Sequence, residues 1–374
     1  MTSPLFEELE LRGLILPNRI IVAPMCQYSG SNGSPTDWHL IHLGQLAQSG
    51  AGLLIFEATA VEPRGRITHG CLGLYDDKTE ADMANLVRVC KQFGNTPLAI
   101  QLGHAGRKAS ASPPHKGGKP LSGGEEPWET IAPSDIPFGN EWPRPLSMTR
   151  DIMDEVTRAH TEAVQRCERI GFDAIELHGA HGYLISQFLG SKTNRRSDQW
   201  GGSINNRSKF LIEIIRAIKS KTSKDFLIGV RISPEINKIG INLHDSISLA
   251  KILRDECIDF LHLSCWDSFS PSKCEPDDPR LLTEWFTSTI SDLPPIICTG
   301  GVWDNADVQS VFSQGADFVG VARAGIAHPD WAIEISNQDY KPQKPPFSSL
   351  HLEEADLSEK FIDYMRAWDG FVED

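Results

Sequence analysis

Read for its apolar and polar positions, the chain alternates short buried runs with longer amphipathic stretches. Apolar runs stand at residues 20–23, 53–56, 97–100, 172–177, 226–230, 258–263, 295–298 and 316–321. Each has the length and continuous apolar character of a strand buried on both faces. Helical periodicity fills most of the intervals, at 38–48, 79–93, 151–170, 205–219, 245–255 and 304–312. Eight strands with helical connections predict a (β/α)₈ TIM barrel. A doubly wound sheet is the other architecture this alternation allows. It calls for a glycine-rich fingerprint after an early strand, and the sequence has none.

Three segments fall outside the alternation. Leu9 to Arg12 and Leu14 to Leu16 flank Gly13, which predicts a small N-terminal hairpin. Residues 109–148, after the third strand, are rich in Pro, Gly and Ser, and a loop of that length is usually functional or mobile. Residues 338–356 are polar and Pro-bearing. Beyond them 357–368 reads as a helix with Phe361, Tyr364, Met365 and Trp368 on one apolar side. The expected organisation is one domain over 1–374, with the barrel at about 18–335 and a C-terminal extension at 336–374.

Charge narrows the partners. With a net charge of −14 over 374 residues, a nucleic-acid backbone or an anionic membrane is not an expected partner. Any phosphate must be held locally, by glycine amides and one or two arginines. The eight cysteines include no C-x-x-C pair, which argues against zinc or iron–sulfur ligation and fits reduced thiols in a cytoplasmic protein. The first ten residues have neither a basic start nor an apolar run, so no signal peptide is expected.

In a TIM barrel the carboxyl ends of all strands face one pocket. The fourth run ends in Glu176-Leu177-His178-Gly179-Ala180-His181-Gly182-Tyr183-Leu184. His178 and His181 could cap the next helix, could be half of a metal site, or could donate hydrogen bonds to a substrate oxygen. No third ligand at regular spacing supports the metal. Gly300-Gly301 and Ala322-Arg323 end the last two strands, where such barrels often cradle a phosphate. Arg231, at the end of the fifth strand, is costly in an apolar barrel unless an anion meets it. Gln101 is either a satisfied core residue or a ring-edge contact.

The chain resembles the old yellow enzyme family of FMN-dependent ene-reductases, in particular the bacterial branch with an active-site cysteine (xenobiotic reductase-like). The resemblance rests on Ala23-Pro24-Met25-Cys26-Gln27-Tyr28, Glu57-Ala58-Thr59-Ala60-Val61 and Gln101-Leu102-Gly103-His104-Ala105-Gly106-Arg107-Lys108. It continues through the His178 stretch, Thr193-Asn194-Arg195-Arg196-Ser197-Asp198 and Val230-Arg231, covering most of the chain. It implies FMN as cofactor, NADPH or NADH as electron donor, and reduction of carbon–carbon double bonds conjugated to a carbonyl. Position by position it implies flavin contacts at Ala23, Pro24, Met25, Cys26, Ala60, Gln101, Arg231, Gly300, Gly301, Ala322 and Arg323. It also implies substrate contacts at Tyr28, His178 and His181, and Tyr183 as proton donor. Cys26 is expected to tune the flavin. Arg366-Ala367-Trp368 is similar to a C-terminal pattern of that branch, which implies a homodimer or homotetramer with Arg366 in a neighbour's substrate pocket. The chain departs from the branch at Ala322, where Gly is frequent, and over 264–278, which matches no family segment. A non-catalytic scaffold and a metal-dependent hydrolase are the competing function classes.

Overall fold

The structure, a computed structural model, describes residues 4–374; the reading of the first ten residues falls partly on 1–3, outside the described part. A hairpin, β1 (Leu9–Leu11) with β2 (Leu14–Leu16), precedes eight parallel strands: β3 (Ile20–Val22), β4 (Leu53–Ala60), β5 (Leu98–Gly103), β6 (Ala174–Gly179), β7 (Leu227–Ile232), β8 (Phe260–Ser264), β9 (Ile296–Thr299) and β10 (Phe318–Val321). Each pairs with the next, and β10 closes on β3 through Gly320 beside Ile21. The eight apolar runs are therefore the eight staves of a closed barrel.

The hairpin plugs one end. Leu11 and Leu16 pack into a cluster with Ile21, Ile55, Phe260 and Phe318, a dry floor at the amino ends of the strands. Burying such side chains contributes about 1.5–3 kcal/mol each. The functional end is thus the opposite, carboxyl one.

The helices follow the predicted periodicity with shifted ends. Those of eight residues or more are α1 (Asp37–Ala47), α2 (Asp77–Phe93), α3 (Arg150–Ile170), α4 (Lys209–Lys219), α5 (Leu243–Asp255), α6 (Leu282–Thr289), α7 (Asn305–Ser313) and α8 (Glu359–Arg366). Helix α3 begins where Thr149 accepts from the Ile152 amide and stops at Gly171, whose φ of 95° turns the chain into β6. The stretch 205–219 is not one helix. A single turn, Ile204–Arg207, precedes α4, and Ser208 between them bonds back to the Asn205 carbonyl. Helix α6 has no counterpart in the sequence reading. The C-terminal helix starts at Glu359, after Ser358 whose side chain caps the Phe361 amide, two residues later than the apolar pattern suggests. Among the described residues no helix is long and apolar enough to cross a membrane.

Candidate active site

A cavity of about 640 Å³ opens at the carboxyl ends of the strands. Pro24, Met25, Cys26 and Tyr28 reach it from the loop after β3, and Gln101 from β5. His178, His181 and Tyr183 follow from β6, and Arg231 from β7. Gly300, Gly301, Ala322 and Arg323 complete the opposite wall. Three expected residues are not on this wall. Ala23 is fully buried beneath it, and Ala60 lines a separate small pocket together with His178 and Tyr183. Arg366 lies outside its own chain's cavity, tied to Asp374 and Ser349.

The loop after β3 is held from below by a buried carboxylate. Glu57 accepts from the Gln27 amide at 3.0 Å and stands 3.2 Å from His39 Nε2. Gln27 in turn receives Trp38 Nε1 at 3.0 Å. This scaffold holds Tyr28 at a φ of 50°, unusual for a side chain this large. Burial pushes the Cys26 thiol well up, and the Glu57 carboxylate adds to the effect.

The two histidines stand edge to face, ring centres 5.1 Å apart, because the backbone turns at His181, whose φ is 60°. Burial is the main cause that lowers both rings well below the usual imidazole range, with the Arg231 charge second. His178 is buried whereas His181 is exposed toward the pocket, so desolvation is the more complete at His178. Both are neutral, and their bonds assign the protons. The Ala180 amide donates to His178 Nδ1 at 3.4 Å, leaving the proton on Nε2. Arg231 donates to Ser264 Oγ at 3.1 Å, and Ser264 meets His181 Nε2 at 2.7 Å. The Ser264 hydroxyl, accepting from Arg231, can donate to that nitrogen, the arrangement that puts the His181 proton on Nδ1. Neither His178 Nε2 nor His181 Nδ1 has a partner among the described residues. Each ring keeps one N–H free.

Tyr183 lies 4.9 Å from the His178 ring, and burial raises its hydroxyl well above the ordinary tyrosine range. Lys108, which the sequence reading did not place, stands over the Tyr183 ring at 4.4 Å and donates to the His181 carbonyl at 3.1 Å. Burial brings its ammonium down to about 8. Trp266, 76% exposed, and Trp368, 37% exposed, sit at the cavity mouth with ring centres 5.7 Å apart. Trp266 belongs to the segment 264–278, for which the sequence reading found no family counterpart.

The wall opposite the histidines suits an anionic, planar cofactor. Arg231 is buried, its Nε has no partner, and beyond its bond to Ser264 it meets no carboxylate within ion-pair distance among the described residues. Arg323 is exposed, faces the cavity and is free of ion pairs among the described residues. A side chain at Gly300 would lie 1.9 Å from the Cys265 carbonyl, so only glycine lets this turn close beside Arg323. A guanidinium at the barrel mouth and a second beside a glycine turn fit the ring and the phosphate of FMN. Among the described residues no group of three or more His, Cys, Asp or Glu is placed to hold a metal ion.

A TIM barrel with this site is an FMN-type oxidoreductase. The sequence profile of the NADH:flavin oxidoreductase / NADH oxidase family matches residues 4–341, and the chain belongs to that family. It is 34% identical over 335 residues to an NADPH dehydrogenase of Clostridium acetobutylicum, covering 88% of this chain and 93% of that one. A second NADPH dehydrogenase, from Geobacillus thermodenitrificans, is 37% identical over 266 residues, covering 71% and 73%. Among solved structures, morphinone reductase in complex with tetrahydroNAD superposes with a TM-score of 0.77 at 25% identity, covering 99% of this chain and 98% of that chain. Old yellow enzyme from a Pichia species shares the fold, with a TM-score of 0.73 at 22% identity over 90% of this chain and 87% of that one.

Proposed function

We propose that the protein is an NAD(P)H-dependent ene-reductase acting on carbon–carbon double bonds conjugated to a carbonyl. What supports this reading above all is the pair of neutral imidazoles, each with one free N–H, level with the Arg231 guanidinium, which meets no carboxylate and whose Nε has no partner. When bound, FMN would supply the hydride chemistry between the nicotinamide and the β-carbon of the alkene.

The chain's own residues do the rest. His178 Nε2–H and His181 Nδ1–H donate to the substrate carbonyl oxygen, where negative charge builds as hydride arrives. Neutral donors suit this step, since they are preset and exchange no proton with the oxygen. Tyr183 gives its hydroxyl proton to the α-carbon, and the Lys108 charge over its ring stabilises the phenolate left behind. Tyr28 contacts the substrate beside it. Cys26, a thiol that burial keeps protonated, acts on the cofactor's surroundings and not as a nucleophile. Pro24, Met25, Gln101 and Arg231 hold the flavin ring, and Gly300, Gly301, Ala322 and Arg323 its phosphate; Ala23 and Ala60 support that wall from behind. The active species is a homodimer or homotetramer in which Arg366, outside its own cavity, reaches a neighbour's.

Rapid mixing without oxygen tests the reading. The purified protein should be yellow, be bleached by NADPH or NADH, and be reoxidised by 2-cyclohexenone. Tyr183→Phe should slow the reoxidation and spare the bleaching. Equal slowing of both steps would give Tyr183 a structural role only.

A further inference from the structure

The barrel interior beneath the cavity holds a polar chain of which the reaction above uses only one end, Gln101. Glu176, at the middle of β6, is fully buried. One carboxylate oxygen accepts from Gln101 Nε2 at 2.7 Å, and the other meets His262 Nδ1 at 2.5 Å. His262 Nε2 continues to Thr299 Oγ1 at 2.7 Å. Four strands, β5, β6, β8 and β9, are thus tied through one carboxylate, and Arg231 on β7 stands in its field. Such groups are rarely buried unless every lone pair is used.

The bonds fix the protons. Glu176 stays ionised: burial works against its charge, but the hydrogen bond from His262, the charge of Arg231 and the bond from Gln101 outweigh it and hold its carboxyl below the usual range. An ionised carboxylate only accepts, so Gln101 must turn its amide nitrogen downward and its Oε1 toward the cavity. That oxygen has no donor among the described residues. His262, lowered chiefly by burial, is neutral with its proton on Nδ1, and the Thr299 hydroxyl donates to Nε2. The network therefore carries one negative charge beneath one positive charge, Arg231.

We propose that Glu176 is a positioning residue for the flavin: it sets Gln101 as a hydrogen-bond acceptor at the cofactor wall and offsets the charge of Arg231. The inference rests on the proposed FMN site and deepens it. Two consequences follow from chemistry alone. An oxidised isoalloxazine has a single ring N–H, at N3, so an acceptor fixed at Gln101 selects that edge. A carboxylate behind Arg231 weakens its pull on the negative charge a flavin carries when reduced, so Glu176 holds the potential down.

The first consequence is read on the unaltered protein. FMN methylated at N3 should bind the apoprotein at least tenfold more weakly than FMN, with equal affinity overturning the acceptor assignment. The second is read on Glu176→Gln and Glu176→Asp loaded with FMN. In Glu176→Gln the carboxylate is gone and Gln101 is free to flip. The N3-methyl penalty should shrink and reduced FMN should gain at least tenfold over oxidised FMN, a positive shift of about 30 mV for a two-electron couple. Glu176→Asp keeps the charge and should leave the potential near that of the unaltered protein. A folded, yellow Glu176→Gln with unchanged potential and an unchanged N3-methyl penalty would overturn the inference alone. A wild-type chain that takes up no FMN would instead overturn the reading beneath it. Should Glu176→Gln not fold, the N3-methyl comparison on the wild type still decides the orientation of Gln101.

Discussion

Lys108 Nζ stands 4.4 Å from the centre of the Tyr183 ring and is anchored there by the His181 carbonyl at 3.1 Å. One cation thus touches both the proposed proton donor and the turn that carries the proposed oxyanion donors. Arg107 and Lys238 are near enough to oppose its charge, and burial opposes it more. Its ammonium is lowered to about 8, so the charge is present below that pH and lost as pH rises through it.

The reoxidation of reduced enzyme by an enone should therefore slow as pH rises past about 8. Lys108→Met should be slow at all pH values, by roughly tenfold or about 1.4 kcal/mol, and should lack that alkaline limb. Lys108→Arg should keep the rate and move the limb upward, since a guanidinium stays charged. Stopped-flow rates across the pH range decide this. A Lys108→Met enzyme with the wild-type pH profile would remove the lysine from the reaction.

The barrel was legible because its signal is local. A parallel strand buried on both faces is a short continuous apolar run, and each of the eight runs became a stave. Helix α6, Leu282–Thr289, was missed because its sequence, LTEWFTST, carries three threonines and little apolar periodicity. The strand-end rule placed Cys26, Gln101, His178, Arg231 and Arg323 on one cavity, since position along a stave decides which end a residue faces. Lys108 and Trp266 depend instead on how irregular loops fold back, which no periodicity encodes. Glu176 and His262 did leave a trace: each puts a titratable residue inside an apolar strand, a placement that requires a buried partner.

Arg323, exposed and free of ion pairs beside the Gly300 turn, should matter for cofactor retention more than for folding. Charge-assisted bonds to a phosphate contribute about 1.5–3 kcal/mol. Arg323→Ala should weaken FMN binding tenfold or more, measured by fluorescence on reconstituting the apoprotein, while the melting temperature of the apoprotein hardly moves. Unchanged FMN affinity would place the phosphate elsewhere.

His178 and His181 are lowered well below the usual imidazole range, so they remain neutral as pH falls through about 6. Enone reoxidation should then show no acid limb from these rings between about pH 5.5 and 7. Removing one preset donor, in His178→Ala, should cost about 3 kcal/mol in the transition state, roughly a hundredfold. Phenols should also perturb the flavin spectrum of the wild type and not of the double alanine variant. A double variant that still reduces enones at the wild-type rate would refute the assignment.

The C-terminal helix makes two opposite predictions in one experiment. Tyr364 packs edge-on against Tyr28 at 5.1 Å, Lys360 donates to the Tyr28 carbonyl at 3.1 Å, and Trp368 faces Trp266. These contacts lie within the chain, so Trp368 should act on its own site. Arg366 is held by Asp374 and Ser349 away from that cavity, so the proposed role in catalysis requires a neighbour's site. Chains carrying His178→Ala and His181→Ala, inactive themselves, can be mixed with Trp368→Ala or with Arg366→Ala chains after reversible dissociation. Trp368→Ala should raise KM, and in its hybrids every site with intact histidines lacks its tryptophan, so that raised KM should persist. In hybrids with Arg366→Ala, sites with intact histidines regain an arginine from the partner, so activity should recover. Recovery in the first mixture would mean that the helix exchanges between copies. A fully active monomer in solution would end the role of Arg366 altogether.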